Sequence, residues 1–496
     1  MINRLFSHLV CLMVLSSSSA VTFADWAVIS EHWYGVTIDG AKSGWASKIL
    51  EEDDQFYRTS ETQNMTLSRA GIELEIKVNS VFVETKSGVP VSVTNIQEAM
   101  GQTSETVWLF KPDKIIMTSK AGGKPITKTV PMPGHDWLTP QDIKRLFVEK
   151  MALGDLMITF TALTPELGAK PVTVVMKRLD TQEQDVLGIS KPVSKWEVSN
   201  DLMPITATEF YTANGVSVGS VMNAGFGNIV NTLMSKHEAL SPLNEIPELM
   251  VSMFVEPNQS IPDDPSLKRL AMKVRSKDGT AITLPSVGAQ QATVLEDGSV
   301  LLNIDIASPV DATDLELSND EYLAATAICD GSDEAVIAVA TSTLKSLSEN
   351  ASSREKAFAL RDKVYEYIDN KGLSTAFASA SQTARDRKGD CSEHGVLLCG
   401  VLRAAGIPSR GVMGMVYVPN LGAPNGVFGW HMWSQALIDG QWIDLDATLK
   451  TPYSVGHIAT VTSSLSDEGL QGEMAGILNT IGNLEIEILE IGSHTK

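Results

Sequence analysis

The stretch from Arg387 to Thr448 constrains the fold of this chain more than any other. It begins with Gly389-Asp390-Cys391 and continues through a nearly all-apolar run to Gly406-Ile407-Pro408. Asp390 is a suitable helix N-cap, and glycine followed by proline is a helix stop signal. The spacing therefore predicts a helix from Cys391 to about Ala405, and its apolar surface predicts that the helix is buried.

The far end of the same stretch predicts a β-hairpin. Residues 431–438 read as one strand, Asp439-Gly440 suits a two-residue turn, and residues 441–446 read as the returning strand. Ile438 then faces Gln441, and this register fixes the partner of every other residue in the hairpin.

The predicted register brings His431 and Asp446 together. Trp433 faces Asp446, so His431 and Asp446 are diagonal neighbours on one face of the hairpin. Diagonal Cβ atoms lie about 7 Å apart or somewhat less, which an imidazole–carboxylate hydrogen bond can span. Asp444 shares this face but pairs with Gln435, one step farther from His431, so Asp446 is the better partner.

Cys391, His431 and Asp446 supply a nucleophile, a base and an orienting carboxylate in chain order. A thiol at a helix N-terminus lies at the positive end of the helix dipole, which favours the thiolate. Each residue also has an ordinary structural explanation, as a buried cysteine, a hydrogen-bonded core histidine and a carboxylate at a strand end. Their combination in this register favours a catalytic site.

A metal site is the alternative use of the same atoms. Cys391 and His394 are spaced i, i+3, and His431 could be a third ligand. The sequence has no second Cys/His pair with zinc-finger spacing. We therefore predict neither a metal nor a cofactor, and we expect His394 to line the cleft or pack against the hairpin.

These motifs resemble the transglutaminase-like superfamily, whose members are relatives of papain-type thiol enzymes. The resemblance covers about residues 319–452 and implies an α+β core in which the helix bearing Cys391 packs against an antiparallel sheet. It further implies that Cys391 is the nucleophile, His431 the general base and acid, and Asp446 the orienting residue. The features that carry it are Gly389-Asp390-Cys391, the run from Glu393 to Leu398, the run from Leu402 to Arg410, His431-Met432-Trp433 and the run from Asp444 to Thr448.

The resemblance implies a thiol-dependent acyltransferase or peptidase that acts on protein or peptide amides through a thioester. Water would resolve the thioester in a peptidase or amidase, and an amine would resolve it in a transamidase; the sequence leaves both open. The Cys391 N–H is one expected oxyanion donor; Gln382 and a tryptophan indole are candidates for the second, which the spacing leaves open. The alternative is a catalytically inactive transglutaminase-like protein that serves as a binding protein or an envelope scaffold.

Composition and the N-terminal sequence limit the partners and the compartment. The formal net charge of -21 argues against a general nucleic-acid-binding protein, which needs basic patches. Residues 1–24 read as a signal peptide, with Arg4 before a short apolar run and small residues near Ala20 and Ala24. No later segment reads as a transmembrane helix. We expect an exported protein, periplasmic or extracellular, of unknown oligomeric state.

Three cysteines remain after the predicted leader. Cys391 and Cys399 lie on one predicted helix, about 12 Å apart along its axis. This separation is too large for a disulfide, which needs Cα atoms within about 7 Å. A Cys329–Cys399 disulfide stays open, and Cys391 is the expected free thiol.

The rest of the chain predicts a multidomain protein, with a β-rich N-terminal region and a C-terminal α+β papain/transglutaminase-like domain. Alternating runs predict antiparallel strands in a curved meander or half-open barrel, interrupted by one helix that begins at Pro140. Farther along, the pattern predicts a helix from Ser353 to Ile368 with Ser353 as its cap, a loop at residues 377–382 and a short helical pattern after Ser463. The predicted divisions are 1–24 (signal peptide), 25–240 (β-rich domain), 241–320 (linker and small β region), 321–460 (transglutaminase-like domain) and 461–496 (tail with a closing strand).

Overall fold

A computed structural model describes most of the chain. The leader predicted at residues 1–24 lies outside the described residues, as does most of the helical pattern expected after Ser463. The described residues are 26–69, 72–134, 136–163, 171–202, 206–224, 227–248, 253–372, 378–419, 421–467 and 482–493.

An antiparallel sheet of 14 strands occupies the N-terminal half of the chain. Its strands are β1 (Ala27–Ile38), β2 (Ala41–Glu52), β3 (Phe56–Arg69), β4 (Ile72–Thr85), β5 (Pro90–Ala99), β6 (Gln102–Phe110), β7 (Lys114–Ala121), β8 (Ile126–Pro131), β9 (Met157–Leu163), β10 (Pro171–Val186), β11 (Ile189–Asn200), β12 (Ala207–Thr212), β13 (Ser217–Asn223) and β14 (Asn228–Met234). Neighbours in sequence pair from β1 to β8 and from β9 to β14, and the pairing of β1 with β14 joins the two halves.

Helix α1 (Pro140–Leu153) lies across one face of this sheet. Its Gln141 N–H donates to Glu84 on β4, while its Phe147 ring packs 4.5 Å from Tyr211 on β12. One helix thus contacts strands from both halves, so the sheet is curved, as the sequence predicts. A short helix, α2 (Lys236–Ala239), follows the last strand.

A second sheet of four strands follows. Its strands are β15 (Leu267–Ser276), β16 (Gln290–Val294), β17 (Val300–Asp305) and β22 (Leu484–Ser493), in the order β16-β17-β15-β22. The closing strand predicted in the tail is therefore present and pairs with β15. The apolar core of this sheet also includes Met415, Phe428 and Ile458, so the sheet packs on the C-terminal domain.

The C-terminal domain combines helices with a third, four-stranded sheet of order β20-β19-β18-β21. Its elements are α3 (Asp314–Leu317), α4 (Glu334–Leu344), α5 (Ser353–Tyr367), α6 (Ala380–Asp386), α7 (Cys391–Ala404), β18 (Ser409–Val418), β19 (Val427–Ile438), β20 (Gln441–Leu445) and β21 (His457–Ser463). The predicted papain-like arrangement of a thiol-bearing helix against an antiparallel sheet is confirmed.

Helix α7 is the centre of this domain. Val396, Leu397, Leu398 and Val401 are each at most 1 % exposed, within a core that also includes residues of α4, α5 and β19. Full burial of an apolar helix contributes about 1.5–3 kcal/mol per large side chain. The predicted central, buried helix is therefore confirmed, and its first residue is held in place by the whole core behind it.

Two local predictions were wrong. A loop was expected at residues 377–382, but α6 begins at Ala380, because the Ser379 side chain accepts from the N–H of Gln382 and caps the helix. Helix α5 is capped by Ser352, in a capping box with Glu355, where the sequence reading placed the cap at Ser353. Within the described ranges, no helix is both long and apolar enough to cross a membrane.

Candidate active site

Cys391 is the first residue of α7, and two carboxylates fix the chain around it. Asp390 Oδ1 accepts from the N–H of Ser392 at 2.8 Å, while Glu393 Oε2 accepts from the N–H of Asp390 at 2.8 Å. This is a capping box, which satisfies N–H groups that a helix leaves unpaired. The thiol is partly exposed and lies at the positive end of the helix dipole.

The other face of α7 is seated directly on β19. Ser434 Oγ on β19 donates to the carbonyl of Gly395 at 2.9 Å. A Cβ atom at Gly395 would lie 3.3 Å from Met432 Cγ, so even an alanine would require the Met432 side chain to give way by a few tenths of an ångström. This close contact, one turn beyond Cys391, sets the distance between the thiol and the side chains of β19.

The β19–β20 hairpin has the register that the sequence predicts. Asp439 and Gly440 form the turn with φ of 52° and 81°, the left-handed values that a type I′ turn requires. Ile438 pairs with Gln441, and the last pair joins Ser434 to Leu445. Asp446 is therefore the residue immediately beyond the paired part of β20.

His431 and Asp446 are hydrogen-bonded, with His431 Nε2 donating to Asp446 Oδ2 at 2.8 Å. The Cys391 thiol is near the same imidazole and is one of the groups that raise the pKa of His431. Because Nε2 is engaged by Asp446, Nδ1 is the nitrogen that faces the thiol. The structure thus brings the three predicted residues, Cys391, His431 and Asp446, together, with His431 and Asp446 hydrogen-bonded and the thiol near the imidazole.

The electrostatics of the site favour a charged imidazole. Burial alone would lower the pKa of His431, but the charge and the hydrogen bond of Asp446, together with the nearby Cys391 thiol, outweigh it and raise the pKa to about 10. Burial opposes ionisation of Asp446, yet the charge and hydrogen bond of His431 hold the pKa of that carboxyl far below its usual range. A protonated imidazole beside a thiol stabilises negative charge on the sulfur.

Asp446 is held by backbone groups as well as by His431. Its Oδ1 accepts from the N–H of Thr448 at 2.7 Å and from that of Leu449 at 3.3 Å. The buried guanidinium of Arg361 on α5 donates to the carbonyls of Asp446, Leu449 and Lys450. The turn after β20 is therefore fixed from both sides, and Asp446 with it.

His457 is a site residue that the sequence reading missed. It begins β21, it is fully buried, and its Nε2 lies 3.1 Å from Asp446 Oδ2, the same oxygen that His431 uses. No local pattern connects it to the hairpin, since β21 joins the sheet on the far side of β18. The only indication in the sequence was that His457 follows Tyr453 and begins a run of strand-forming residues.

Among the described residues, His431, Asp446 and His457 form the group that could hold a metal ion, because their ligand atoms lie within 4.8 Å of one another. In this structure the same atoms are joined to each other, since Asp446 Oδ2 lies 2.8 Å from His431 Nε2 and 3.1 Å from His457 Nε2, as in hydrogen bonds. The alternative set from the sequence, Cys391 with His394 and His431, is not the set assembled here.

His394 is a buried residue of the thiol helix itself. Its Nδ1 lies 2.6 Å from the carbonyl of Asp390, so this nitrogen donates, and its Nε2 is buried without a hydrogen-bond partner in the described structure. Burial lowers the pKa of His394 to about 4, so the ring is neutral at neutral pH. It acts as a packed core residue.

Asp444 binds structural partners. It accepts from Trp433 Nε1 at 2.8 Å, from Gln435 Nε2 at 2.7 Å and from the N–H of Ala289 at 2.9 Å. The last bond ties the hairpin to the second sheet. Asp444 is therefore occupied away from His431, as the predicted register requires.

The candidates for a second oxyanion donor differ in their positions and in whether their N–H groups are already hydrogen-bonded. The Trp433 indole N–H is taken by Asp444, while the Trp430 indole N–H is buried without a partner in the described structure. Gln382 on α6 lies against the β7–β8 hairpin of the first sheet, where a Cβ at Gly122 would lie 2.5 Å from its Oε1. The Cys391 N–H remains the donor that the fold places beside the thiol, because the first helical N–H has no intrahelical acceptor.

The three described cysteines are free thiols, including Cys329 and Cys399, for which the sequence left a disulfide open. Both are fully buried, and burial raises the pKa of Cys329 to about 12. Cys391 is the partly exposed one of the three. A thiol reagent should therefore distinguish it from the other two.

A buried helix with an N-terminal cysteine, set against a sheet that carries histidine and aspartate, defines a papain-like α+β domain. Residues 339–447 match the family model of the transglutaminase-like superfamily. The C-terminal part of this chain is a transglutaminase-like domain. The match runs from the middle of α4 through α5, α6 and α7 to the hairpin, and it includes the three predicted site residues.

Comparison with solved structures found partial likenesses, and comparison with curated proteins found no match. A β-barrel-like protein of unknown function from Brucella abortus is 13% identical, with a TM-score of 0.33 over 41% of this chain and 94% of that one. A candidate cysteine protease from Cytophaga hutchinsonii is 18% identical, with a TM-score of 0.27 over 46% and 89%. A candidate protease from Parabacteroides distasonis is 11% identical, with a TM-score of 0.20 over 74% and 68%.

Proposed function

We propose that this protein is a thiol-dependent peptidase or acyltransferase that acts on protein or peptide amides. The observation that carries the proposal is the connected arrangement of Cys391, His431 and Asp446, with the thiol partly exposed and both of its partners buried. The transglutaminase-like domain supports the same reading.

The first chemical step forms a thioester. Cys391 Sγ attacks the amide carbonyl carbon, the carbonyl π electrons move to oxygen, and the Cys391 N–H stabilises that oxyanion. The tetrahedral intermediate then collapses, the C–N bond breaks, and His431 gives its proton to the departing amine or ammonia. Asp446 keeps the imidazole oriented throughout, as the carboxylate does in other triads.

The second step regenerates the thiol. Neutral His431 takes a proton from water or from a second amine as that molecule attacks the thioester carbonyl. The C–S bond breaks, and Cys391 leaves as a thiolate beside the imidazolium. Water gives a carboxylic acid and so a peptidase or amidase, whereas an amine gives a new amide and so a transamidase.

A mixed assay separates these reactions. Wild type and Cys391→Ser are incubated with a peptide library and a fluorescent primary amine, and the products are followed by mass spectrometry and by ammonia release. Shortened peptides or free ammonia with new carboxylates support hydrolysis, and fluorescent peptides support transamidation. Absence of all products, together with an ordinary thiol at Cys391, would contradict the proposal and favour a non-catalytic binding protein.

We also propose that the protein acts outside the cytoplasm. The support is the predicted signal peptide at residues 1–24. N-terminal sequencing of the protein isolated from its cells should begin at Val21 or Asp25. A retained Met1 in the isolated protein would contradict export by cleavage.

A further inference from the structure

His457 occupies a defined position behind the site. Asp446 Oδ2 accepts from His431 Nε2 at 2.8 Å and lies 3.1 Å from His457 Nε2, so one carboxylate oxygen lies between two imidazoles. The two rings are 5.8 Å apart and inclined by 60°. His457 therefore contacts Asp446 directly, and Asp446 and His431 lie between it and the thiol.

The ring of His457 is fixed on several sides. Tyr453 stacks on it with ring centres 4.4 Å apart, and Trp433 meets it edge-on at 5.1 Å. Its Nδ1 lies 3.0 Å from the carbonyl oxygen of Ser454 and 3.2 Å from the Ser454 hydroxyl. Because the side chain is fully buried, these contacts leave the ring one orientation, with Nε2 directed at Asp446.

The partners of the ring determine where its protons lie. A carboxylate accepts hydrogen bonds, so Nε2 must carry a proton to bind Asp446. Nδ1 then either accepts from the Ser454 hydroxyl, in a neutral ring, or donates to the Ser454 carbonyl, in a charged ring. In both forms Nε2–H points at Asp446, so donation to the carboxylate does not depend on the charge of His457.

With this donor, Asp446 has partners on both of its oxygens. Oδ2 faces the two imidazoles, and Oδ1 accepts from the N–H groups of Thr448 and Leu449. A carboxylate with bonds on both oxygens cannot turn about its own axis without breaking several of them. Removal of the His457 donor would leave a fully buried carboxylate short of one bond, and it would then turn or take up water.

We propose that His457 is a positioning residue, which fixes the plane of Asp446 and through it the orientation of His431 toward Cys391. This inference rests on the proposed function, since a role for His431 is assumed. It assigns to the site a fourth side chain that never touches substrate. Its effect should therefore be transmitted entirely through Asp446 and His431.

Two variants of His457 separate a donor from a packing residue. His457→Phe keeps the ring and its stacking on Tyr453 but has no N–H, whereas His457→Gln keeps an N–H donor but loses the stacking. The measurement is the second-order rate of Cys391 alkylation by iodoacetamide at pH 6, with thermal unfolding as the check on folding. A positioning role predicts a loss of about tenfold or more in His457→Phe and substantial recovery in His457→Gln, because a buried charged hydrogen bond is worth about a factor of ten or more.

The opposite order would overturn the inference. Alkylation of His457→Phe at the wild-type rate, or a slower rate in His457→Gln than in His457→Phe, would show that the ring only packs. If His457→Phe does not fold, His457→Met takes its place as the variant that fills space without a donor. The same order of rates is expected.

A double variant tests the route of the effect. In a His431→Ala background, adding His457→Phe should change the alkylation rate no further, because the interaction it supports is already gone. A further slowing would contradict transmission through His431. Loss of the proposed function would look different, because Cys391 in the wild type would then react as an ordinary thiol that His431→Ala does not affect.

Discussion

The imidazole of His431 and the carboxylate of Asp446 meet at 2.8 Å, immediately beyond the last backbone pair of their hairpin. The strand register brings the two residues together as diagonal neighbours, and the chain then leaves the sheet. Asp446 donates its N–H to the Pro452 carbonyl and gives its own carbonyl to Arg361. The pair thus depends on the hairpin for its proximity and on the following turn for its orientation.

Substitution of Asp446 should separate charge from space. Asp446→Asn keeps the shape but removes the charge that raises the pKa of His431 to about 10. His431 should then be neutral at pH 8, and the rate of Cys391 alkylation at pH 6 should fall at least about tenfold.

Asp446→Ala also leaves the N–H groups of Thr448 and Leu449 unpaired. It should cost about 3–5 kcal/mol in unfolding free energy, as loss of one partner of a buried ion pair does. Denaturant titration of both variants checks this, and equal stability of Asp446→Ala and wild type would contradict it.

Arg361 should be required for the turn that carries Asp446. Its guanidinium donates to three backbone carbonyls, of Asp446, Leu449 and Lys450. Arg361→Lys cannot reproduce the planar, multi-pronged donation and should leave buried carbonyls unpaired, at a cost of about 1–3 kcal/mol. We expect a lower unfolding midpoint and slower Cys391 alkylation in this variant. The exposed Arg354 on the same helix gives the matched control, since Arg354→Lys should leave both unchanged.

Glu393 should make the domain less stable as the pH rises. Burial, with the nearby charge of Asp390, raises the pKa of Glu393 to about 7 from an ordinary value of 4.5. The native state therefore binds a proton that the unfolded state releases, and this contribution to stability is present below about pH 4.5 and is lost as the pH rises through about 7. At about 1.4 kcal/mol per pKa unit, the loss reaches about 3 kcal/mol. The stability of Glu393→Gln relative to wild type should improve by that amount between pH 4.5 and 8, and a pH-independent difference would contradict it.

His394, the next residue, should act in the opposite direction. Burial lowers the pKa of His394 to about 4 from 6.5. Between these two pH values the unfolded state therefore binds a proton that the native state does not bind. Its contribution to stability is fully present above about pH 6.5 and is lost as the pH falls toward 4. His394→Leu should remove this loss, so the variant gains stability relative to wild type between pH 7 and pH 4. Unfolding midpoints across that range measure the effect, and a parallel pH profile for the two proteins would refute it.

The features that the sequence predicted are those set by neighbours along the chain. Asp390 and Gly406 mark the ends of α7 because capping is local, and Asp439-Gly440 fixes the hairpin register because a two-residue turn permits one pairing. From that register alone, His431 and Asp446 fall on one face. The cap of α5 is Ser352 and not the predicted Ser353, because adjacent serines offer the same chemistry, whereas the loop predicted at residues 377–382 missed a short helix that Ser379 caps.

The features that the sequence did not predict depend on distant pairing. His457 reaches Asp446 because β21 pairs with β18, and nothing near residue 457 specifies that partner. The pairing of β1 with β14 likewise brings Trp33 beside Met234, although the other twelve strands of the first sheet lie between them in sequence. Period-two alternation tells which face of a strand is buried, but it does not tell which strand lies next to it.

The most direct test of the account is the pH dependence of Cys391 alkylation in wild type, Cys391→Ser and His431→Ala. An ordinary thiol has a pKa of about 8.5 and is almost wholly protonated at pH 6. The account predicts one thiol that already reacts fast at pH 6, which is absent from Cys391→Ser and slow in His431→Ala. A Cys391 that gains reactivity only above pH 8, equally in wild type and His431→Ala, would contradict it.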